Sequence, residues 1–171
     1  MTVDARHCPR CGAPLPGRPP TRCGTCGYAL YVNARPTATV IVLSGEPGAE
    51  RFLALRRAIE PKAGQWELPG GFVDGWEHPE QAALREAREE LGVEVVLREF
   101  VGMYLGGYEF QGERLPVLDL FWLADIVSGE VRINAESLEY AWLPLHGAAP
   151  LAFETMDIAI HDVAIRRKAG V

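Results

Sequence analysis

The sequence predicts an α/β protein with a small metal-binding module ahead of it. Three observations carry this. Short apolar, often β-branched stretches recur between polar turns, beginning with residues 37–43 (TATVIVL). Two stretches have helical character, one after a Gly-Gly bend near residue 71 and one spanning 156–168. Four cysteines all lie before residue 27, in two C-x2-C pairs.

The cysteine segment comes first. Cys8 and Cys11 form one pair, and Cys23 and Cys26 the other, eleven residues further on. Each pair is followed by glycine, Gly12 and Gly27, which permits the tight turn of a metal knuckle. Two knuckles make a tetrahedral four-thiolate site, most often zinc, with iron the alternative. With four protein ligands the site has no open position, so its role is structural. A segment this short has too little core to fold unaided, and metal binding should supply much of its folding free energy. Two disulfides are the competing reading. The chain start, MTVDARHCPRCG, lacks the apolar core of a signal peptide, and no apolar run approaches a membrane span. The expectation is a cytoplasmic protein whose cysteines stay reduced. Residues 28–32 read as a closing strand, and Pro36 marks the seam, which divides the chain into a module over 1–35 and a larger domain over 36–171.

The net charge of −6 is unevenly spread. Residues 1–35 hold five arginines and one aspartate, +4, which leaves −10 for the rest. An acidic body disfavours a general nucleic-acid surface. It still accommodates a polyanionic substrate if metal ions sit between.

In the larger domain, residues 37–43 read as a central strand and 51–57 as its hairpin partner. A segment punctuated by Pro61, Gly64, Pro69, Gly70 and Gly71 then delivers the chain to the helix, with Trp66 as core packing. Pro79 suits the first turn of that helix and Gly92 its end. Ala83, Leu84, Ala87 and Leu91 form an apolar face. Glu86, Glu89 and Glu90 fall within an arc of roughly 100° on a neighbouring face. Three carboxylates so placed repel one another unless solvent or a cation screens them, and Mg²⁺ or Mn²⁺ favours such oxygen ligands. An ordinary solvated glutamate face is the competing reading.

Residues 94–104 and 115–126 read as strands, joined by a Gly-rich aromatic connection over 105–114. Residues 117–124 (VLDLFWLA) are almost wholly apolar, as expected of a strand covered on both faces. Tyr104, Tyr108 and Phe110 are candidates for stacking on a flat ring, with rim packing as the alternative. A short strand at 142–145 and a closing helix at 156–168 follow, with Ile158, Val163 and Ile165 expected to point inward.

The spacing decides between these readings. Gly71, five residues, Glu77, seven residues, Arg85-Glu86-Ala87, one residue, Glu89-Glu90, one residue, Gly92-Val93 resembles the Nudix box with no position missing. Residues 37–168 resemble a Nudix hydrolase domain, and residues 7–32 resemble the zinc ribbon that some members carry. The flanking RRAIEPKAGQWELPGGFVD, AESLEYAWLPL and PLAFET agree as well. The resemblance implies an α/β/α sandwich with a mixed sheet. It implies hydrolysis of the diphosphate bridge of a nucleoside diphosphate linked to another group, with AMP released. Zinc-ribbon members of this kind are known as ADP-ribose, FAD or NADH pyrophosphatases. Here LGGYEFQGERLP stands where NADH pyrophosphatases carry an SQPWPFPxS-like segment, which shifts weight to ADP-ribose and FAD. Asn33-Ala34 replaces the Asn-Pro common in relatives, a local difference.

Carried over residue by residue, the resemblance makes Glu86 and Glu90 ligands of Mg²⁺ or Mn²⁺ and Glu89 a ligand or water-orienting base. The carbonyl of Gly70 completes a metal shell, and Arg85 orients the carboxylates. Glu77 steadies the start of the helix. Glu136, or else Glu139, supplies a further carboxylate from outside the box. Arg56 joins the three aromatic residues as a candidate substrate contact. The implied partner is a small nucleotide, with a homodimer as the common assembly and no membrane. Two alternatives are a nucleoside-triphosphate or damaged-nucleotide pyrophosphohydrolase, and a nucleotide-sensing module whose basic ribbon contacts nucleic acid or protein.

Overall fold

The computed structural model describes residues 5–169. A two-stranded hairpin, β1 (Thr21–Arg22) with β2 (Ala29–Leu30), belongs to the cysteine segment. The strand expected over 28–32 is only two residues long, because the turn that returns the Gly27 amide to the Cys23 carbonyl leaves it just Thr21 and Arg22 as partners.

The rest is built on β3 (Arg35–Ser44), β4 (Arg51–Arg57), β5 (Trp66–Glu67), β6 (Gly70–Phe72), α1 (Pro79–Leu91), β7 (Glu94–Phe110), β8 (Glu113–Ser128), β9 (Ser137–Pro144) and α2 (Glu154–Ala169). The sheet is mixed: β3 runs parallel to β8, and the other pairings are antiparallel. Helices cover both faces. Ala38, Val40 and Val42 of β3 and Trp122 and Ala124 of β8 form one core with Ala82, Ala83, Ala87 and Leu91 of α1. Ile41 and Phe121, the alternate positions, form a second core with Met156, Ala159, Ile160 and Val163 of α2. This is the α/β/α sandwich expected, and β3 and β8 are apolar on both faces because both are covered.

β3 pairs with β4 only at Leu43–Phe52 and Ser44–Arg51. Beyond those pairs the strands part. The start of β3 bonds to β6, while β4 runs on beside β9 and β5. The wedge between them holds the cavity described below.

Two expectations need correction. Residues 105–114 are not a loose connection: β7 and β8 stay paired to Phe110–Glu113, so most of this stretch is strand. On α2, Ile158 and Ile165 are 40% and 52% exposed. The buried stripe is instead Met156, Ala159, Ile160, Val163 and Ala164, whose three- and four-residue spacing follows the helical repeat more closely. No helix among the described residues is long and apolar enough to cross a membrane.

Candidate active site and thiolate cluster

The bend before α1 is set by close backbone approach. Gly70 has φ 155°, and a Cβ there would lie 2.5 Å from the Ala38 carbonyl oxygen and 2.6 Å from the Thr39 Cα. Only glycine lets β6 lie this close to β3. At Gly71 a Cβ would lie 2.5 Å from Glu86 Oε1, so the missing side chain is the space the glutamate occupies.

α1 then aims its carboxylates at this bend. Its start is capped by His78, whose Nδ1 accepts from the Glu80 N–H at 3.3 Å, while the His78 N–H donates to Gln81 Oε1 at 3.4 Å. Glu90 is buried, and its Oε2 accepts the Gly70 N–H at 2.7 Å. Burial holds the Glu90 carboxyl well above the usual carboxylate range, and the nearby Glu67, Glu86 and Glu136 push the same way against the Gly70 amide. Glu86 is raised chiefly by burial, against the pull of Arg85. Glu89 stands at the exposed edge, its Oε2 accepting from Arg85 Nη1 at 3.1 Å.

Arg85 organises the cluster. Its Nε and Nη2 donate to the two Glu77 oxygens at 3.0 Å, its Nη1 to Glu86 at 2.7 Å, and its Nη2 also to the Phe72 carbonyl at 3.0 Å. The planar fork ties α1, β6 and the intervening loop together. These bonds hold the Glu77 carboxyl below its ordinary range.

Beside Gly70 and Gly71 lies a cavity of about 240 Å³, in the wedge between β3 and β4. Glu67, Arg57 and Glu136 line it at one end, and Thr37, Asp119 and Tyr108 line it elsewhere. Arg57 and Glu67 form a buried ion pair, and Arg57 also donates to the Pro61 carbonyl at 2.7 Å and lies over the Phe153 ring. Burial still pushes Glu67 up, and Glu136 adds to it. A wider hollow of about 620 Å³ adjoins the cavity, sharing Gly107 and Phe153 with it.

Not all the expected residues gather here. Glu136 lines the cavity, whereas Glu139 pairs with Arg56 at 2.8 Å on an exposed surface. Neither Arg56 nor Glu139 lines the cavity; the arginine that does is its neighbour Arg57. Tyr108 lines the cavity with Phe72 and Phe153, at ring-centroid distances of 5.4 and 5.7 Å. Tyr104 does not: its hydroxyl donates to Asp162 of α2 at 2.6 Å and its ring packs on Phe121. Phe110 sits at the exposed end of the β7–β8 hairpin, outside both hollows. Glu67, Arg57, Asp119 and Phe153 were not singled out in the sequence. Glu67 and Asp119 carried one usable signal, a carboxylate set in an apolar stretch.

The donor set at the bend fits a hard divalent cation. Glu90 is raised by burial and by Glu67, Glu86 and Glu136, Glu67 and Glu86 are themselves raised by burial and by Glu136, and among the described residues the cations paired with these groups are Arg57 and Arg85. A divalent ion would relieve that repulsion with oxygen ligands alone.

In the N-terminal segment the four Sγ atoms of Cys8, Cys11, Cys23 and Cys26 all lie within 4.8 Å of one another. The Gly12 and Gly27 amides return to the carbonyls of Cys8 and Cys23 at 2.9 and 3.0 Å, turns that need φ near +70° at both glycines. Amide N–H groups of Cys26 and Thr25 pull the Cys23 thiol down to about 6. A soft, thiolate-binding metal ion fits this cluster.

Comparison with known proteins agrees with the geometry. The chain is 32% identical over 177 residues to the NAD-capped RNA hydrolase NudC of Pseudomonas aeruginosa, an alignment covering 98% of this chain. The chain spans only 59% of that relative's length. It is 29% identical to the ADP-ribose pyrophosphatase of Methanocaldococcus jannaschii over 74% of this chain and 72% of the relative. Among solved structures, a NUDIX hydrolase from Nitrosomonas europaea superposes with a TM-score of 0.75 at 24% identity, over 97% of this chain and 94% of that one. Residues 34–162 match the family model of the NUDIX domain, and the chain therefore belongs to the NUDIX family, whose hydrolases need divalent metals.

Proposed function

We propose that this chain hydrolyses the diphosphate bridge of a nucleoside diphosphate joined to a second group, releasing AMP, with ADP-ribose or FAD as the favoured substrate. The observation that carries this is Glu90, a buried carboxylate bonded to the Gly70 amide and crowded by Glu67, Glu86 and Glu136. A carboxyl group so strongly disfavoured in its charged form has a use where a metal ion would neutralise it beside a polyphosphate. Glu86, Glu89 and Glu90, with the Gly70 carbonyl, would hold Mg²⁺ or Mn²⁺. Bound there, such ions would neutralise the diphosphate, lower the pKa of a coordinated water and stabilise the leaving phosphate. Arg85 keeps Glu86 and Glu89 in place through its fork. Glu136, which lines the cavity and crowds Glu90, would take the proton of the attacking water, and Glu89 shares that assignment. Water adds to one phosphorus, the bridging P–O bond breaks, and the proton passes to the carboxylate. Tyr108, Phe72 and Phe153 offer aromatic surface for a flat ring, and the adjoining hollow offers room for the substrate's second half.

The NudC and ADP-ribose pyrophosphatase relatives support this substrate class. Zinc is the proposed ion of the four-thiolate ribbon. The same reading takes residues 1–35 as the ribbon and 36–171 as the hydrolase domain, in a cytoplasmic homodimer.

A substrate panel tests it. Purified protein with Mg²⁺ or Mn²⁺ is offered ADP-ribose, FAD, NADH, NAD-capped RNA, diadenosine polyphosphates and nucleoside triphosphates. AMP is the expected product from ADP-ribose or FAD. Pyrophosphate released from a triphosphate as the fastest reaction would overturn the assignment.

A pH effect follows from Glu90. Protons and cation compete for it, so Mn²⁺ affinity should rise with pH, by up to about tenfold per unit while the carboxyl remains protonated. Without added Mn²⁺ the sign for stability is opposite. The folded-state pKa lies above the unfolded one, so Glu90's contribution is complete below the unfolded value and is lost as pH rises through the folded value. The difference between wild-type and Glu90→Gln melting temperatures should therefore fall from pH 5 to pH 8. A flat difference would contradict it.

A further inference from the structure

β8 is the central strand least expected to carry a charge, yet Asp119 stands in its middle. It is 9% exposed and lines the cavity. Its Oδ1 accepts the Thr37 hydroxyl at 2.5 Å, and its Oδ2 accepts the Thr155 hydroxyl at 2.6 Å. Both partners are neutral, and among the described residues no cationic side chain pairs with it. Thr37 is its register neighbour on β3, and Thr155 comes from the first turn of α2, so three elements fix the carboxylate. A carboxylate has about four acceptor positions, and the threonines use two. A buried carboxylate with neutral donors alone is costly to retain unless something else completes it. Next to it, Gly106 leaves the carboxylate uncovered: a Cβ there would lie 3.1 Å from Asp119 Oδ2. Tyr108, Phe72 and Phe153 bring aromatic surface to the same cavity. The hydrolytic machinery proposed above makes no use of Asp119.

We propose that Asp119 is a specificity-determining residue that accepts a hydrogen bond from an exocyclic NH₂ group on a flat ring of the substrate. This rests on the diphosphatase reading, because it concerns the part of the substrate beyond the bridge. Two rings of a dinucleotide carry such a group: the adenine through its 6-amino group and the nicotinamide through its carboxamide. A threonine-clamped carboxylate reads either one, since both present a planar N–H donor.

The test uses Glu90→Gln protein, in which binding is measured without turnover. Dissociation constants are taken by calorimetry for ADP-ribose and NAD⁺, for the ADP-ribose analogue whose purine has hydrogen in place of the 6-amino group, and for nicotinic acid adenine dinucleotide. With Asp119 present, one of the two ring changes should weaken binding about 10- to 100-fold, as loss of a hydrogen bond to a charged group does. A penalty for the purine analogue identifies the adenine end, and a penalty for the nicotinate identifies the carboxamide end. Adding Asp119→Leu, which removes the acceptor, should shrink that penalty to about threefold or less, while Asp119→Asn, whose amide oxygen still accepts but carries no charge, should keep only part of it. If both changes cost less than threefold with Asp119 in place, or if the penalty survives Asp119→Leu, the inference is overturned. Should the Leu variant fail to fold, an undiminished penalty in Asp119→Asn overturns it. Binding without discrimination sinks this inference only. Failure of all four ligands to bind, with no turnover of them by wild-type protein, sinks the diphosphatase reading and this inference with it.

Discussion

Glu90→Gln is expected to lower kcat with ADP-ribose or FAD by on the order of 10³-fold while leaving the protein folded. The side chain sits where the bend of β6 meets α1, and its charge is the quantity that matters. Glutamine has nearly the same shape, and its carbonyl oxygen can still accept the Gly70 N–H that Glu90 takes at 2.7 Å. It cannot supply a full negative charge to a divalent ion. A Lewis-acid contribution of several kcal/mol depends on that charge. Stability should move the other way. The substitution removes a buried carboxylate that Glu67, Glu86 and Glu136 all disfavour in its charged form, so in metal-free buffer near neutral pH the variant should melt no lower than wild type. Steady-state kinetics and thermal melts on the same preparation separate the two effects. Near-normal turnover in a folded Glu90→Gln protein would end the catalytic assignment. Loss of turnover with a collapsed melting temperature would instead make Glu90 a structural residue.

Cys8→Ser or Cys23→Ser should unfold the N-terminal module and leave the sandwich standing. Beyond the thiolates, the described residues of this segment have a hairpin of two-residue strands, an isolated bridge between His7 and Pro14 and little apolar burial of their own. Structural zinc in modules of this kind contributes about 10–16 kcal/mol of apparent binding free energy, far more than such a segment can replace. The metal content of purified variant should fall below one equivalent. The Cys8 and Cys23 amides, which now donate to the Ala13 and Tyr28 carbonyls at 2.8 Å, should lose hydrogen-exchange protection. Amides of β3 and β8 should keep theirs, since their pairing from Arg35–Val117 to Val42–Ala124 lies in the sheet and requires no thiolate. A variant that retains both metal and protection would show that the cysteines are not the ligands.

Most of the fold was legible because its signals are local. The cysteine spacing is a property of eleven intervening residues, and the Gly71–Val93 register is a property of one bend and one helix. The apolar stretches and the two helical stretches indicated the α/β class, and the resemblance carried by the Gly71–Val93 register implied the sandwich. The misplaced details share a different cause. On a strand, neighbouring residues face opposite sides, so a one-residue uncertainty exchanges Arg56, which is exposed and paired with Glu139, for Arg57, which lines the cavity. Tyr104 and Tyr108 lie on one strand, but Tyr104 meets Asp162 of α2, while Tyr108 lies toward the open end of the sheet with Phe153, just before that helix begins. Nothing near either tyrosine in the sequence announces where a helix fifty residues later will lie.

What the sequence determined alone is the chemistry at the bend: glycines that allow close approach, and glutamates at helical spacing that must share a small volume. What only the tertiary structure decided is the remainder of the cavity. Glu67, Arg57, Asp119 and Glu136 come from four separate segments, and they meet because β3 and β4 pair at one end and part at the other. That divergence is a long-range pairing choice, made by which strand buries best against which. It leaves no periodic trace in any one segment.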